Sequence, residues 1–232
     1  MGFFWFWVVG FDVLGPADYI AFVQDSDGDS EPEANGSAPT PDPVFDTDEV
    51  PYAILELVAA CVRFVKDTVG IDLDFSSDTL PLVDHYLATV RADLDERHEA
   101  APLILRSVGA YFGEVVRRHI EGFWIVPNED AHLWRVCSSR AFLSVNPLGA
   151  AYDALYDGKE HDGPPSALHL DKPDEQFVNA RLEALPDVNE ADYHRLSVRF
   201  EVIEIAIGAL RDRDGADGEV TFEADDYIEP SN

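Results

Sequence analysis

Lysine is nearly missing from this sequence: in 232 residues only Lys66, Lys159 and Lys172 carry an ammonium group. Lysine and arginine together number 16 against 46 aspartates and glutamates, a formal net charge of -30. Phosphate backbones and anionic lipids attract cationic surfaces, so this balance makes nucleic acid a poor partner and favours a protein with a basic surface. Two origins of the acidity stay open: a salt-adapted cell, or acidity concentrated in loops and a tail. The scarcity of lysine and the spread of aspartate lean toward a salt-tolerant or high-GC bacterial or archaeal source.

Cysteine is as scarce, with Cys61 and Cys137 alone. Two unpatterned cysteines make neither a disulfide framework nor a zinc site, so both are expected to be inert buried thiols in a reducing, cytoplasmic compartment. Long apolar runs are also missing. The aromatic start (Phe3, Phe4, Trp5, Phe6, Trp7) is interrupted by Asp12, Pro16 and Asp18. That is well short of the roughly 20 apolar residues of a membrane-spanning helix. No basic residues precede the apolar run, which argues against a secretory signal, and Phe6 stands where a myristoylation motif wants serine or threonine. Residues 1–24 read as a strand or packing arm, the alternative being membrane contact through the aromatic residues.

The common catalytic signatures are absent too. There is no P-loop, no dinucleotide fingerprint, no H-E-x-x-H, no G-x-S-x-G and no C-x-x-C. The expectation is no catalytic residue, no metal and no cofactor. The Asp25-Asp27-Asp29 triplet has Ser30 and Gly36 where a calcium loop needs glycine and glutamate, so it reads as loop. His161, Asp162, His169 and Asp171 crowd one loop, but a loop without ligands from rigid elements seldom holds a metal. His85, His98, His119, His132 and His194 fall on separate elements and read as surface or capping residues.

What is present is an α+β pattern: amphipathic helices on a small antiparallel sheet, with a long C-terminal helix. Residues 25–50 are an acidic linker, 51–213 a single α+β domain and 214–232 an acidic tail. The first helix carries the stripe Ile54, Leu57, Val58, Cys61, Val62, Val65 and stops at Gly70. A second carries Leu80, Val83, Leu87, Val90, Leu94 behind the cap candidates Ser76 and Ser77. A third carries Leu105, Val108, Phe112, Val115 and ends near Gly122. Then 123–126, 132–136 and 141–145 predict a three-stranded meander, followed by a short helix from Leu148 to Leu155. Residues 158–174 read as loop. The last helix is expected from Asn189 or Glu190, with Tyr193, Leu196, Phe200, Ile203, Ile207 and Leu210 on one seam. Val220 and Phe222 are expected to form a short strand or to be disordered.

The most distinctive stretch is Gly109-Ala110-Tyr111-Phe112-Gly113-Glu114. Glycines four apart bare one face of a helix, at a cost of roughly 1 kcal/mol each in helix propensity, which close packing or ligand access must offset. Tyr111 and Glu114 share a face, Arg118 lies four beyond Glu114, and Trp124 follows on the next strand. These four residues are the candidate groove for a ligand or partner. The plain alternative is a solvated Glu114–Arg118 ion pair. GAYFGEVVRR, a Gly-Phe-Trp strand, a Phe-Leu-Ser-Val-Asn-Pro strand-to-helix turn and a late Tyr-His-Arg-Leu-Ser-Val-Arg-Phe-Glu helix together resemble bacterial domains of unknown function with a G-A-Y-x-G-E helix followed by a tryptophan strand. The resemblance covers about residues 52–212 and implies a bacterial α+β unit without assigned catalytic residues. The functional expectation is a non-catalytic protein-interaction or accessory domain. The alternative is an enzyme or small-ligand-binding protein with its site at Tyr111, Glu114 and Trp124.

Overall fold

The computed structural model describes residues 50–94, 98–184, 192–214 and 221–227. The aromatic segment, nearly all of the acidic linker and the Asp25 triplet lie outside these residues. Among the described residues there are six α-helices and one four-stranded sheet. None of the helices is long and apolar enough to cross a membrane.

Helix α1 (Tyr52–Val69) buries Ile54, Leu55, Val58, Cys61, Val62 and Val65. It ends where Gly70 turns left-handed at φ 82°, its N–H donating to Lys66 O at 2.8 Å, a stop that glycine makes without steric cost. Helix α2 (Leu80–Leu94) follows a tight 3-10 turn, Ser77–Thr79. Ser76 makes no side-chain cap; instead Asp74 accepts from Ser76 N (2.9 Å), Ser76 Oγ (2.6 Å) and Thr79 Oγ1 (3.2 Å) and braces the turn ahead of α2. Burial pushes the Asp74 carboxyl up, but these donors together outweigh it and hold it below its ordinary value.

Helix α3 (Ala101–His119) buries residues around most of its circumference, because it packs on α1, helix α4 (Pro147–Tyr156) and strands β1 and β2. Strands β1 (Gly122–Ile125), β2 (Arg135–Ser138) and β3 (Leu143–Val145) form the expected antiparallel meander, with Trp124 opposite Val136 and Cys137 opposite Ser144. Its second strand starts later than the spacing predicts. Asp130 accepts from His132 N at 3.0 Å and folds Ala131–Leu133 into a 3-10 turn, so pairing begins at Arg135. A fourth strand, β4 (His169–Leu170), pairs with β3 inside the stretch read as loop.

Helix α4 begins at an Asn146 cap, which accepts from Gly149 N at 3.0 Å, with Pro147 in its first turn. Helix α5 (Lys172–Glu183) was not expected: its only buried residue is Val178, so it carries no apolar stripe to read. Helix α6 (Leu196–Asp214) starts later than Asn189, and Tyr193 lies before it, half-exposed. Its N-terminus is capped from a distance, Asp84 of α2 accepting from Leu196 N (2.8 Å), Ser197 N (3.2 Å) and Ser197 Oγ (2.6 Å).

Phe222 is not in a strand. Its N–H donates to Ser139 O at 2.9 Å, and Ala224–Tyr227 then forms a 3-10 turn. Tyr227 is buried, stacked on Phe142 at 4.7 Å, with its hydroxyl set among Ser138 O, Ala141 O and Leu143 N. Tyr227 therefore anchors the 221–227 segment on the β2–β3 turn; Val220 lies outside the described residues.

Candidate functional site

The two glycines of α3 face different neighbours. A Cβ on Gly109 would sit 3.0 Å from Leu148 Cα, so α3 and α4 cross almost backbone to backbone there. On Gly113 it would fall 2.3 Å from Trp124 Cη2 and 2.6 Å from Cζ2, in collision with the edge of the indole. The missing side chain at Gly113 is thus the space that the tryptophan of β1 fills.

That indole leads to Glu114. Its Nε1 donates to Glu114 Oε2 at 3.2 Å. Arg117 donates to both carboxylate oxygens, with Nη2 2.6 Å from Oε1 and Nε 3.0 Å from Oε2, and Arg118 Nε reaches Oε1 at 3.0 Å. Glu114 is 1% exposed and Arg117 6%. The Glu114–Arg118 pair therefore exists, with its carboxylate buried and its guanidinium reaching the surface, and Arg117 is the closest partner of that carboxylate in this knot. Burial alone would raise the Glu114 carboxyl, but the Arg117 hydrogen bonds and the charges of Arg117 and Arg118 overcome it and hold it below its usual value.

Arg118 continues the knot outward, its guanidinium 4.1 Å above the Phe75 ring. Phe75 has φ 64°, a left-handed conformation that is strained for a bulky residue. Its N–H donates to Tyr111 Oη at 3.1 Å, and Thr79 Oγ1 lies 3.0 Å from the same oxygen. Tyr111 is fully buried, and burial pushes its hydroxyl pKa well up. Glu114, Arg118 and Trp124 are thus in direct contact, with Tyr111 joined to them through Phe75.

A second polar knot lies between α4 and α6. Asp153 accepts from His161 Nε2 at 2.8 Å, from Arg199 Nη2 at 2.7 Å and from Ser166 Oγ. Arg199 Nη2 also donates to Ser166 Oγ at 3.0 Å. Gly163 N donates to His161 Nδ1 at 3.2 Å, which assigns the proton to Nε2. Serine, histidine and aspartate are here together, but both donors converge on the carboxylate and the serine is not bonded to the imidazole. That geometry cannot activate a nucleophile in the manner of a hydrolase triad. It ties the 158–168 loop to two helices. His169 does not join His161; it packs near the Phe142 ring at 6.1 Å. Among the described residues no three potential metal ligands converge. Both cysteines are free and buried, and burial pushes the Cys137 thiol up to about 12.

No protein-family model, curated protein or solved structure matches the chain. That accords with a domain outside the characterised families, and it leaves function to be argued from the residues themselves.

Proposed function

We propose that the protein is a non-catalytic interaction or accessory domain of a bacterial cytoplasm, which binds a partner through that partner's basic surface. The observation that carries this reading is how the few bases are used. Arg117 and Arg118 pair with Glu114, Arg140 with Glu121, Arg195 with Asp192, Arg199 with Asp153 and Arg213 with Asp174. These six arginines are engaged in cis, while carboxylates such as Asp171, Glu175, Glu183, Glu201 and Asp212 stand exposed. Such a surface accelerates encounter with cationic partners and repels anionic ones.

The alternative, an enzyme or ligand-binding site at Tyr111, Glu114 and Trp124, has their burial against it. A general acid or base must reach its substrate's proton, and Glu114 is enclosed by three donors. The test is affinity capture on the immobilised full chain, with an unrelated protein of matched negative charge as control. The reading expects a specific partner of high isoelectric point, released by added KCl. A captured set identical to the control's, or a neutral or acidic specific partner held through molar KCl, overturns it.

A further inference from the structure

A cleft of about 440 Å³ opens between α2, the end of α4 and the start of α6, with Asp84, His85, Arg91, Asp157, His194 and Arg195 in its wall. Its size falls in the range of small-molecule sites. On a chain of net charge -30, the composition of this wall is unusual: its two aspartates are balanced by two arginines, and two imidazoles are added.

Both wall carboxylates are already satisfied within the protein. Asp84 caps α6 through two backbone amides and Ser197 Oγ. Asp157 pairs with Arg91 at 3.2 Å, and the same arginine donates to Leu155 O (2.7 Å) and Ala154 O (2.8 Å), closing the end of α4. What remains is donor capacity. Arg195 gives one nitrogen to Asp192 at 2.8 Å and leaves the rest of its fork open, and the ring of His85 has no hydrogen-bond partner among the described residues.

A second observation points the same way. Of the three buried side-chain polar atoms without a partner among the described residues, two are His194 Nδ1 and Arg199 Nε. His194 is in the wall of the cleft, whereas Arg199 belongs to the Asp153 knot and is not part of that wall. Buried polar atoms left unpaired are rare in folded proteins. An arginine with unused donors beside two imidazoles is the chemistry that recognises an oxyanion.

We propose that this cleft is a binding site for a small ligand bearing an oxyanion, a phosphate or a carboxylate group, held by Arg195, His85 and His194. It is independent of the acidic surface assigned to the protein partner, so either can fail without the other.

The experiment uses the full chain labelled for imidazole NMR, titrated at constant KCl with inorganic phosphate in one arm and malonate in the other. The expected result is saturable shifts of the His85 and His194 rings in at least one arm, the arm identifying the group preferred. Arg195→Gln should raise the midpoint about tenfold, as loss of a charge-assisted contact predicts, and His85→Gln should weaken binding as well. Arg195 is 59% exposed in its side chain, so its variant should fold. Shifts that never saturate, that spread equally over all seven histidines, or that ignore both substitutions overturn the proposal.

Discussion

Glu114 and Asp153 are both carboxylates drawn into the protein with arginine against them, but their partners come from different distances along the chain. Arg117 and Arg118 lie three and four residues from Glu114, on the same helix, and Trp124 is ten away. Asp153 gathers His161, Ser166 and Arg199, eight, thirteen and 46 residues away. The first knot can form as soon as α3 and β1 form. The second needs α4, its loop and α6 already in place, and it fixes their mutual position. The Glu114 knot is also the drier: its carboxylate is 1% exposed, against 16% for the side chain of Asp153. Desolvation makes a broken buried pair costlier than an accessible one, because the surviving charge cannot turn to water.

The largest expected effect follows from that difference. Glu114→Gln keeps the shape and removes the charge, leaving Arg117 buried with only a neutral oxygen to face. Losing one partner of a buried pair costs about 3–5 kcal/mol, and this variant should fall in that range. Asp153→Asn should lose roughly 1–3 kcal/mol, since its surroundings admit some water. Urea unfolding of both variants checks the order. Equal losses would mean that burial does not separate the two knots.

Gly113 tests the wall of the first knot. Alanine there regains about 1 kcal/mol of helix propensity, yet its Cβ would lie 2.3 Å from Trp124 Cη2. The indole must shift, and its bond to Glu114 must stretch with it. A net loss of about 1–3 kcal/mol is expected for Gly113→Ala, with a larger one for Gly113→Leu. Trp124 emission should shift in both. Unchanged stability of Gly113→Leu would show that the indole moves freely and would reopen the candidate groove at Tyr111, Glu114 and Trp124.

The helices and the meander were legible because their signals are local: apolar spacing in α1 and α3, glycine at 70, and the Asn-Pro entry to α4. Of the Glu114 knot, the spacing revealed Arg118 and suggested Trp124. Arg117 carries an equally local signal, its i,i+3 spacing from Glu114 in the same turn. Other features had no local signal to find. Nothing near Leu196 announces that α6 is capped by Asp84, 112 residues earlier. Helix α5 has polar and charged residues nearly all round, and strand β4 is two residues long. Tyr227 looked like part of an acidic tail because its partners are backbone atoms 84 to 89 residues away, which no side-chain pattern encodes.

Acid should separate the knots from the rest of the molecule. The folded pKa of Glu114 and that of Asp153 are both lowered, in each case by donors and charges that outweigh burial. A lowered carboxylate contributes stability that is present above its unfolded pKa, about 4.3 for glutamate and 3.9 for aspartate. That contribution is lost as pH falls through the folded value. The penalties of Glu114→Gln and Asp153→Asn should therefore shrink as the medium is taken from neutral pH toward pH 2, as urea unfolding at a series of pH values would record. A penalty that holds constant through that window would mean that shape, not charge, is what each substitution removes.

Asp84 gives the smallest effect and the opposite sign. It accepts three bonds from the start of α6, but no arginine bonds to it, and burial prevails: its pKa is raised, with the Ser197 bonds opposing only in part. A raised carboxyl contributes stability that is fully present below the unfolded pKa and is lost as pH rises through the folded one. At neutral pH the buried charge already offsets much of the cap's benefit. Asparagine is also a good capping residue, and it keeps an acceptor for Leu196 N. Asp84→Asn should therefore cost less than about 1 kcal/mol at pH 7. Near pH 4 the parent gains from a protonated Asp84 and the variant does not, so the cost should grow in acid where those of Glu114→Gln and Asp153→Asn shrink. Melts at the two pH values decide it. If the Asp84→Asn penalty also shrinks in acid, then hydrogen bonding outweighs burial at Asp84 as well, and an arginine is not what distinguishes the two knots from the cap.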